Sequence, residues 1–518
     1  MLGERIHHII YLASVFLLVI GLSTSEFMMS VSSIALACNW LLEGKLKEKF
    51  DRLKKNRTAL VLTSMFFMYV VWMIGTSDLQ EGMKELRIRL PLLLFPVVLG
   101  SIPRFSVKEQ VWVARIFIAA TLCSTLISLG VYFELIPTKS DISDVRNISI
   151  FISHIRLSLL ICVAITIGFY FMVERREHRW IYLFCILWFI GFLYLIQSAT
   201  GFVILFMLIG LFGLYLWKKI QRQFLKYTFF ALSVLIMIGG ILYIVKAHRA
   251  YFSVNEHSCN EPLANTEFGD RYYHDLENTQ LENNNYIWRN IHWDGMQKAW
   301  NERSAMDIFG KDGKGQQLDA TLIRYLTSMG SCKDREGVEA LSDVDIKAIE
   351  SGTPSCVKPQ KGIKKRLNEI FWEFNAYDNG ANPSGNSVVM RLEFWKTAKE
   401  VIRNNPWFGV GTGDGKNEMQ QMYDQTNSVL DEDWRLGSHN EFLSTWVKTG
   451  LFGFLIFVFA LFYPLVKRKN WNILYLAFFL IAGLSFLAEN TLETQPGVTF
   501  FGFFNCWLLF QCFHPKED

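Results

Sequence analysis

Long apolar runs separated by short polar joints fill the first half of the chain and return at its end. A helix needs about 20 mostly apolar residues to cross the hydrocarbon core of a bilayer. Runs approaching that length occupy 9–22, 27–42, 58–75, 90–102, 111–135, 151–173, 180–196, 201–217, 227–245, 442–466, 471–488 and 498–513. The weakest is 90–102, short and interrupted by Pro91 and Pro96. The first follows Arg5, His7 and His8 as a signal peptide would, yet no small-x-small site ends it and a second run follows at once, so it reads as an uncleaved span. The pattern predicts an all-α polytopic membrane protein of about twelve transmembrane helices with a large, mainly helical extracytoplasmic domain between helices nine and ten. Residues 1–245 hold the first nine helices, 246–437 the outer domain and 438–518 the last three.

Basic residues set the orientation, because cytoplasmic loops are enriched in them. One set of alternate loops carries Lys45, Lys47, Lys49, Arg52, Lys54, Lys55 and Arg57, then Arg104 and Lys108, then Arg175, Arg176 and Arg179, then Lys218, Lys219, Arg222 and Lys226, then Lys467, Arg468 and Lys469. The opposite set is poorer: Lys84, Arg87 and Arg89 in one loop, Lys139 and Arg146 in another, none at 198–200 or 489–497. Even parity then puts both termini in the cytoplasm and residues 246–437 outside, a length that suits a folded domain rather than a connection. Within it 319–329, 338–350, 363–377 and 388–404 read as helices. On the last, Val388, Leu392, Trp395, Ala398 and Ile402 share one face, which either packs inside the outer domain or lies along the membrane interface.

Composition agrees with a bilayer setting: of 518 residues, 51% are hydrophobic and 19% charged, too apolar for an ordinary soluble enzyme. A formal net charge of +4 gives no field that points to nucleic acid. The nine cysteines form no CxxC pair and no zinc-ligand cluster. Cys259, Cys332 and Cys356 alone lie in the large polar segment; if it faces an oxidising compartment, one pair can bridge, and Cys332 with Cys356 is the expectation.

The stretch Gly409-Val-Gly-Thr-Gly-Asp-Gly-Lys416 lacks the spacing of a phosphate loop and no strand precedes it, so nucleotide binding is not expected. More informative is Ser438-His439-Asn440-Glu441 at the start of the tenth run. Serine with glutamate three positions on forms a capping box, which places His439 in the first helical turn at the outer boundary. There the positive end of the helix dipole disfavours imidazolium, and a neutral ring can accept a proton. The alternative is an interfacial histidine bonded to the outer domain.

His439-Asn440 followed after nine residues by Gly450-x-x-Gly453 resembles the motif of the bacterial O-antigen ligase superfamily, which includes O-antigen polymerases and protein O-oligosaccharyltransferases. Arg391-Leu-Glu-Phe-Trp395, Asn405-Pro406-Trp-Phe-Gly409-Val-Gly411, Ser153-His154-Ile155-Arg156 and Glu489-Asn-Thr-Leu-Glu493-Thr-Gln495 extend the resemblance across most of the chain. It implies a GT-C-like fold and a metal-independent enzyme without cofactor at the outer face of the bacterial inner membrane. Such an enzyme moves a glycan from an undecaprenyl pyrophosphate carrier to an acceptor hydroxyl. A ligase acting on lipid A-core is the first expectation; a polymerase using a second glycan, or a protein O-oligosaccharyltransferase, is the alternative. A flippase or transporter ranks lower, since it would set ionisable residues deep within several spans.

By the same resemblance His439 is the general base and Arg391 the first ligand for pyrophosphate, whose oxygens a planar guanidinium grips in bidentate fashion. The family pattern has a second arginine in a Ser-Arg-Thr/Gly-like string where this chain reads Ser198-Ala199-Thr200-Gly201. Arg156 is the expected substitute, with Arg146 and Arg435 behind it, and a structural pair with Glu134 is its other explanation. Asn440, Glu441, His154, Glu489 and Glu493 are candidate supporting residues. Glu489 and Glu493 would orient His439 or bind acceptor, although residue type alone favours solvated loop acids.

Overall fold

A computed structural model describes residues 2–138, 144–175, 178–357, 362–467 and 472–512. Lys139, Arg176, Arg468 and Lys469, and the expected helix ends Trp471 and Phe513, lie outside these. The chain divides into two compact units, Met1–Met237 with Arg391–Asp518, and Ile238–Met390. Its helices are α1 (Leu2–Thr24), α2 (Glu26–Leu42), α3 (Leu46–Lys55), α4 (Arg57–Val71), α5 (Leu79–Arg89), α6 (Pro91–Ser101), α7 (Val107–Tyr132), α8 (His154–Tyr170), α9 (Arg179–Ile196), α10 (Ala199–Lys219), α11 (Gln223–Tyr251), α12 (Trp293–Arg303), α13 (Leu318–Met329), α14 (Arg335–Glu339), α15 (Asp343–Glu350), α16 (Gly362–Asp378), α17 (Val389–Asn404), α18 (Gly415–Gln425), α19 (Glu441–Lys467), α20 (Ile473–Ala488) and α21 (Gln495–Cys506).

Every apolar run becomes a helix, but not every helix has the length of a span. Among the described residues seven are long and apolar enough to cross a membrane: α1, α7, α8 with its continuation to Arg175, α9, α10, α11 and α19. An eighth is added if α2 and α3, bent by 112° against each other, count as one span. The others fall short of the expected twelve for a physical reason. At about 1.5 Å per residue, α6, with 11 residues, reaches roughly half-way across a hydrocarbon core. It is instead a packing element: Leu92, Phe95, Val98 and Leu99 are buried against α4 and α21, and Gly502 of α21 lets the chain pass close to Phe95 and the Pro91 carbonyl.

The glycines around 409 and 450 solve one problem together. Gly450 breaks α19 with φ 59° and ψ −169°, which would orphan backbone groups inside apolar surroundings. The stretch after α17 supplies their partners. Val410 and Gly411 N–H donate to the Val447 and Lys448 carbonyls at 3.0 and 2.9 Å, and Leu451 N–H donates to the Pro406 carbonyl at 2.9 Å. Backbone passes backbone so closely that a Cβ on Gly450 would stand 2.3 Å from the Trp407 carbonyl carbon. Beyond, Thr412 Oγ1 donates to the Tyr69 carbonyl at 2.7 Å, and the Asp414 carboxylate accepts Ser77 and Asp78 N–H at 2.7 and 2.8 Å. The glycine-rich segment is thus a splice between α4, α5 and α19, with the N–H groups of residues 409–413 already engaged.

The unit Ile238–Met390 has its own core, including Ile287, Ile291, Met296, Trp300, Leu318, Leu322, Leu326 and Val338. A two-stranded hairpin, β1 (Leu281–Glu282) and β2 (Asn285–Tyr286), turns at Asn283-Asn284, both at positive φ as such a turn requires. The expected helix at 338–350 is two, α14 and α15, because Ser342 and Asp345 form a new capping box. The cysteine expectation is corrected: Cys259, not Cys356, bridges Cys332, across 73 residues of sequence. Asn290 brings them together, its Nδ2 donating to the Cys259 carbonyl at 2.8 Å while its own carbonyl accepts Lys333 N–H at 2.9 Å. Cys356 stays a free, exposed thiol. On α17 the buried stripe is Met390, Phe394, Thr397, Ala398 and Val401, with Glu393 inside it, rather than the face through Leu392 and Trp395. Two buried polar residues hid that stripe from its apolar pattern.

Gly450→Ala is expected to cost about 3 kcal/mol or more, read as a lowered melting temperature of the purified chain. Gly483→Ala, whose Cβ meets nothing within 4 Å, should stay within about 0.5 kcal/mol. Cys332→Ser is expected to lose about 2–4 kcal/mol and Cys356→Ser close to none; equal losses in calorimetry would contradict the pairing.

Candidate active site

Six residues, Glu489–Thr494, join α20 to α21, and their side chains gather most of the residues singled out above. His439 lies just outside α19 with left-handed backbone, φ 44°. The capping box is not formed. Asn440 caps the helix, its Oδ1 accepting Phe442 and Leu443 N–H at 3.0 and 3.1 Å. Glu441, fully buried, turns inward, and its Oε2 accepts Leu492 N–H at 2.8 Å. The carboxylate that would have closed the box instead ties α19 to the loop.

Glu489 stands between His439 and Arg391. Its Oε2 is 3.2 Å from His439 Nδ1 and its Oε1 is 2.8 Å from Arg391 Nη2, while Arg391 Nε donates to the Ala488 carbonyl at 3.1 Å. The His439 ring stacks on Phe394, one turn along α17 from Arg391, at 5.4 Å between centroids. Burial raises the carboxyl of Glu489, but the His439 hydrogen bond and the charges of His439 and Arg391 outweigh it and hold the group below the usual glutamate range. An ionised carboxylate only accepts, so Nδ1 carries the ring proton and Nε2 keeps its lone pair. Among the described residues Nε2 makes no hydrogen bond.

Arg156, at the start of α8, donates from Nη2 to Thr494 Oγ1 at 2.7 Å and feels the charge of Glu489; it does not pair with Glu134. Ala199 begins α10 behind its cap Ser198. The two helix starts touch, since a Cβ on Gly201 would lie 3.1 Å from Ser158 Cβ. Arg156 therefore brings a guanidinium to the end of the bundle where Ala199 has none. Arg146 is engaged by Asp144 at 2.6 Å, with His154 acting on that same carboxylate, and Arg435 by Asp424 at 2.6 Å. The geometry thus gathers Arg391, Arg156, His439 and Glu489 around one loop and leaves Arg146, His154 and Arg435 in other pairings.

Glu489 and Glu493 are not solvated loop acids. Glu493 Oε1 is 2.6 Å from Lys448 Nζ, 3.7 Å from Arg89 Nη2 and bonded by Ser444 Oγ, and Oε2 accepts from Asn490 Nδ2 at 2.7 Å. Although burial raises it, Lys448 and Arg89 hold this carboxyl well below its ordinary range. Glu85 completes the cluster, pairing with Arg89 and lying 3.0 Å from Lys448. Arg89 is fully buried over the Tyr69 ring. Sequence reasoning counted Arg89 as a loop charge and passed over Glu85 and Lys448. An ionisable residue within the tenth apolar run was the signal available for Lys448.

This arrangement sets a histidine backed by a carboxylate beside guanidinium groups in a polytopic helical protein. Residues 362–458 match the family model for O-antigen ligase, a stretch that includes Arg391, the glycine splice, His439 and Gly450. The match supports membership of the O-antigen ligase superfamily, whose members are ligase- and polymerase-type glycosyltransferases. An uncharacterized protein of Haemophilus influenzae is 30% identical over 122 residues, covering 23% of this chain and 30% of that protein. The chain thus spans under a third of the curated relative it matches.

Because the Glu489 carboxyl titrates lower in the fold than in the unfolded chain, its contribution to stability is complete above the unfolded value and is lost as pH falls through the folded one. Melting temperatures of the wild type should therefore fall on acidification below about pH 4.5. Glu489→Gln should melt lower at neutral pH and show a flatter acid limb, and parallel curves would contradict the pairing.

Proposed function

We propose that the chain transfers a glycan from an undecaprenyl pyrophosphate carrier to an acceptor hydroxyl, as an O-antigen ligase with lipid A-core as acceptor. The observation that carries this reading is Glu489 bridging His439 and Arg391. In the reaction the acceptor oxygen attacks the anomeric carbon, the bond from that carbon to the phosphate oxygen breaks, and direct displacement inverts the centre. His439 Nε2 takes the hydroxyl proton, and Glu489 stabilises the imidazolium so formed. Arg391 and Arg156 face the negative charge that grows on the leaving diphosphate, where fixed cations act most strongly. The protein sits in the bacterial inner membrane with both termini cytoplasmic and residues 246–437 periplasmic. That orientation gives the site access to lipid-linked donor and outer-face acceptor together.

Purified chain supplied with undecaprenyl pyrophosphate glycan and lipid A-core is expected to glycosylate the acceptor. His439→Ala should lower kcat by about 10²–10⁴-fold with donor binding retained, and Arg391→Ala should weaken use of the donor. Equal transfer by His439→Ala removes the base assignment. Mass spectrometry of the product separates the alternatives: a lengthened carrier glycan means a polymerase, and modified serine or threonine a protein O-oligosaccharyltransferase.

A further inference from the structure

The buried charges around Glu493 open onto a cavity of about 190 Å³. Glu85, Glu493, Lys448 and Arg435 form its inner wall, and Glu81 and Lys416 are nearer solvent. None of His439, Arg391 and Arg156 lines it, but Ser438 and Asn490 do, the residues next in sequence to His439 and Glu489. The cavity therefore adjoins the reacting groups without containing them.

Its chemistry selects among ligands. The wall's three carboxylates are matched by three cations, Lys416, Lys448 and Arg435, so it offers a diphosphate no net positive charge, and its charged side chains oppose a polyprenyl chain. Carboxylates and ammonium or guanidinium groups set side by side suit a group that donates and accepts at the same atom, which a hydroxyl does. Lys448, with a side chain only 7% exposed and held by two carboxylates, is fixed before any ligand arrives. The volume suits about one sugar ring, being several times the share of a water molecule.

We infer that this cavity is a saccharide subsite that holds a sugar of the acceptor beside the one whose hydroxyl reacts. The inference rests on the transfer reading above. It assigns Glu85, Lys448 and Glu493, with Glu81 and Lys416 at the rim, to acceptor recognition, and leaves the diphosphate to Arg391 and Arg156, which do not line the cavity.

The test uses the full chain in detergent, with methyl α-glucoside as probe and saturation-transfer NMR as readout. The glucoside should bind, and Glu85→Gln, Glu81→Gln and Lys416→Ala should each weaken it, by roughly tenfold where a hydrogen bond to a charged group is lost. Lys416 is exposed and Glu81 half-buried, so those two variants keep the result readable if Glu85→Gln does not fold. Wild-type affinity in both rim variants, or displacement of the glucoside by inorganic pyrophosphate, overturns the assignment. Transfer assays separate the two readings. Glucoside binding through these residues without glycan transfer sinks the enzyme reading and leaves the saccharide site, whereas normal transfer at an unchanged acceptor KM in all three variants sinks the site alone.

Discussion

A carboxylate removed from water must be neutralised by a charge or by several donors, since leaving it unpaired costs several kcal/mol. Two such groups, Glu489 and Glu493, sit on one short loop, and their demand organises the membrane-embedded unit. Glu489 draws in His439 from before α19 and Arg391 from α17; Glu493 draws in Lys448 from α19 and Arg89 from the end of α5. Thr494 adds Arg156 of α8. The candidate base and the cations are thus fixed by electrostatic necessity, with the same contacts that stabilise the fold also orienting the imidazole.

Broken helicity serves that arrangement. Because α19 stops at Gly450 and accepts the Pro406–Gly411 strand of chain, its first half is a short segment whose start is free to present His439 and whose interior carries Ser444 and Lys448 to the loop. Glycine at 409 and 450 is required by backbone contact at distances no side chain tolerates. A motif with the look of a phosphate loop is a structural splice, and the chemistry lies one helical half away.

Among the described residues, the buried Arg89 Nε and Nη2 make no hydrogen bond, and Glu441 Oε1 likewise makes none. Partly satisfied networks of this kind cost stability compared with apolar packing. Arg89 lies within reach of Glu85 and Glu493, which line the polar cavity.

Apolar runs marked the apolar helices, because a run of apolar residues records locally which surface avoids water, whereas the polar helices α3, α5, α12 and α18 carried no such mark. The family resemblance marked His439 and Arg391 as candidates. Span count was less legible: α6 and α21 are as apolar as the longer helices, and although the 90–102 run already looked short, only the structure shows that α21 is a 12-residue helix as well. What tertiary structure decided are pairings between residues far apart in sequence: Glu489 with His439 and Arg391, Glu493 with Lys448 and Arg89, Cys259 with Cys332. A charged or sulfur-bearing side chain carries no local mark of its partner, so whether Glu489 meets water or an imidazole is settled only when the helices close around it.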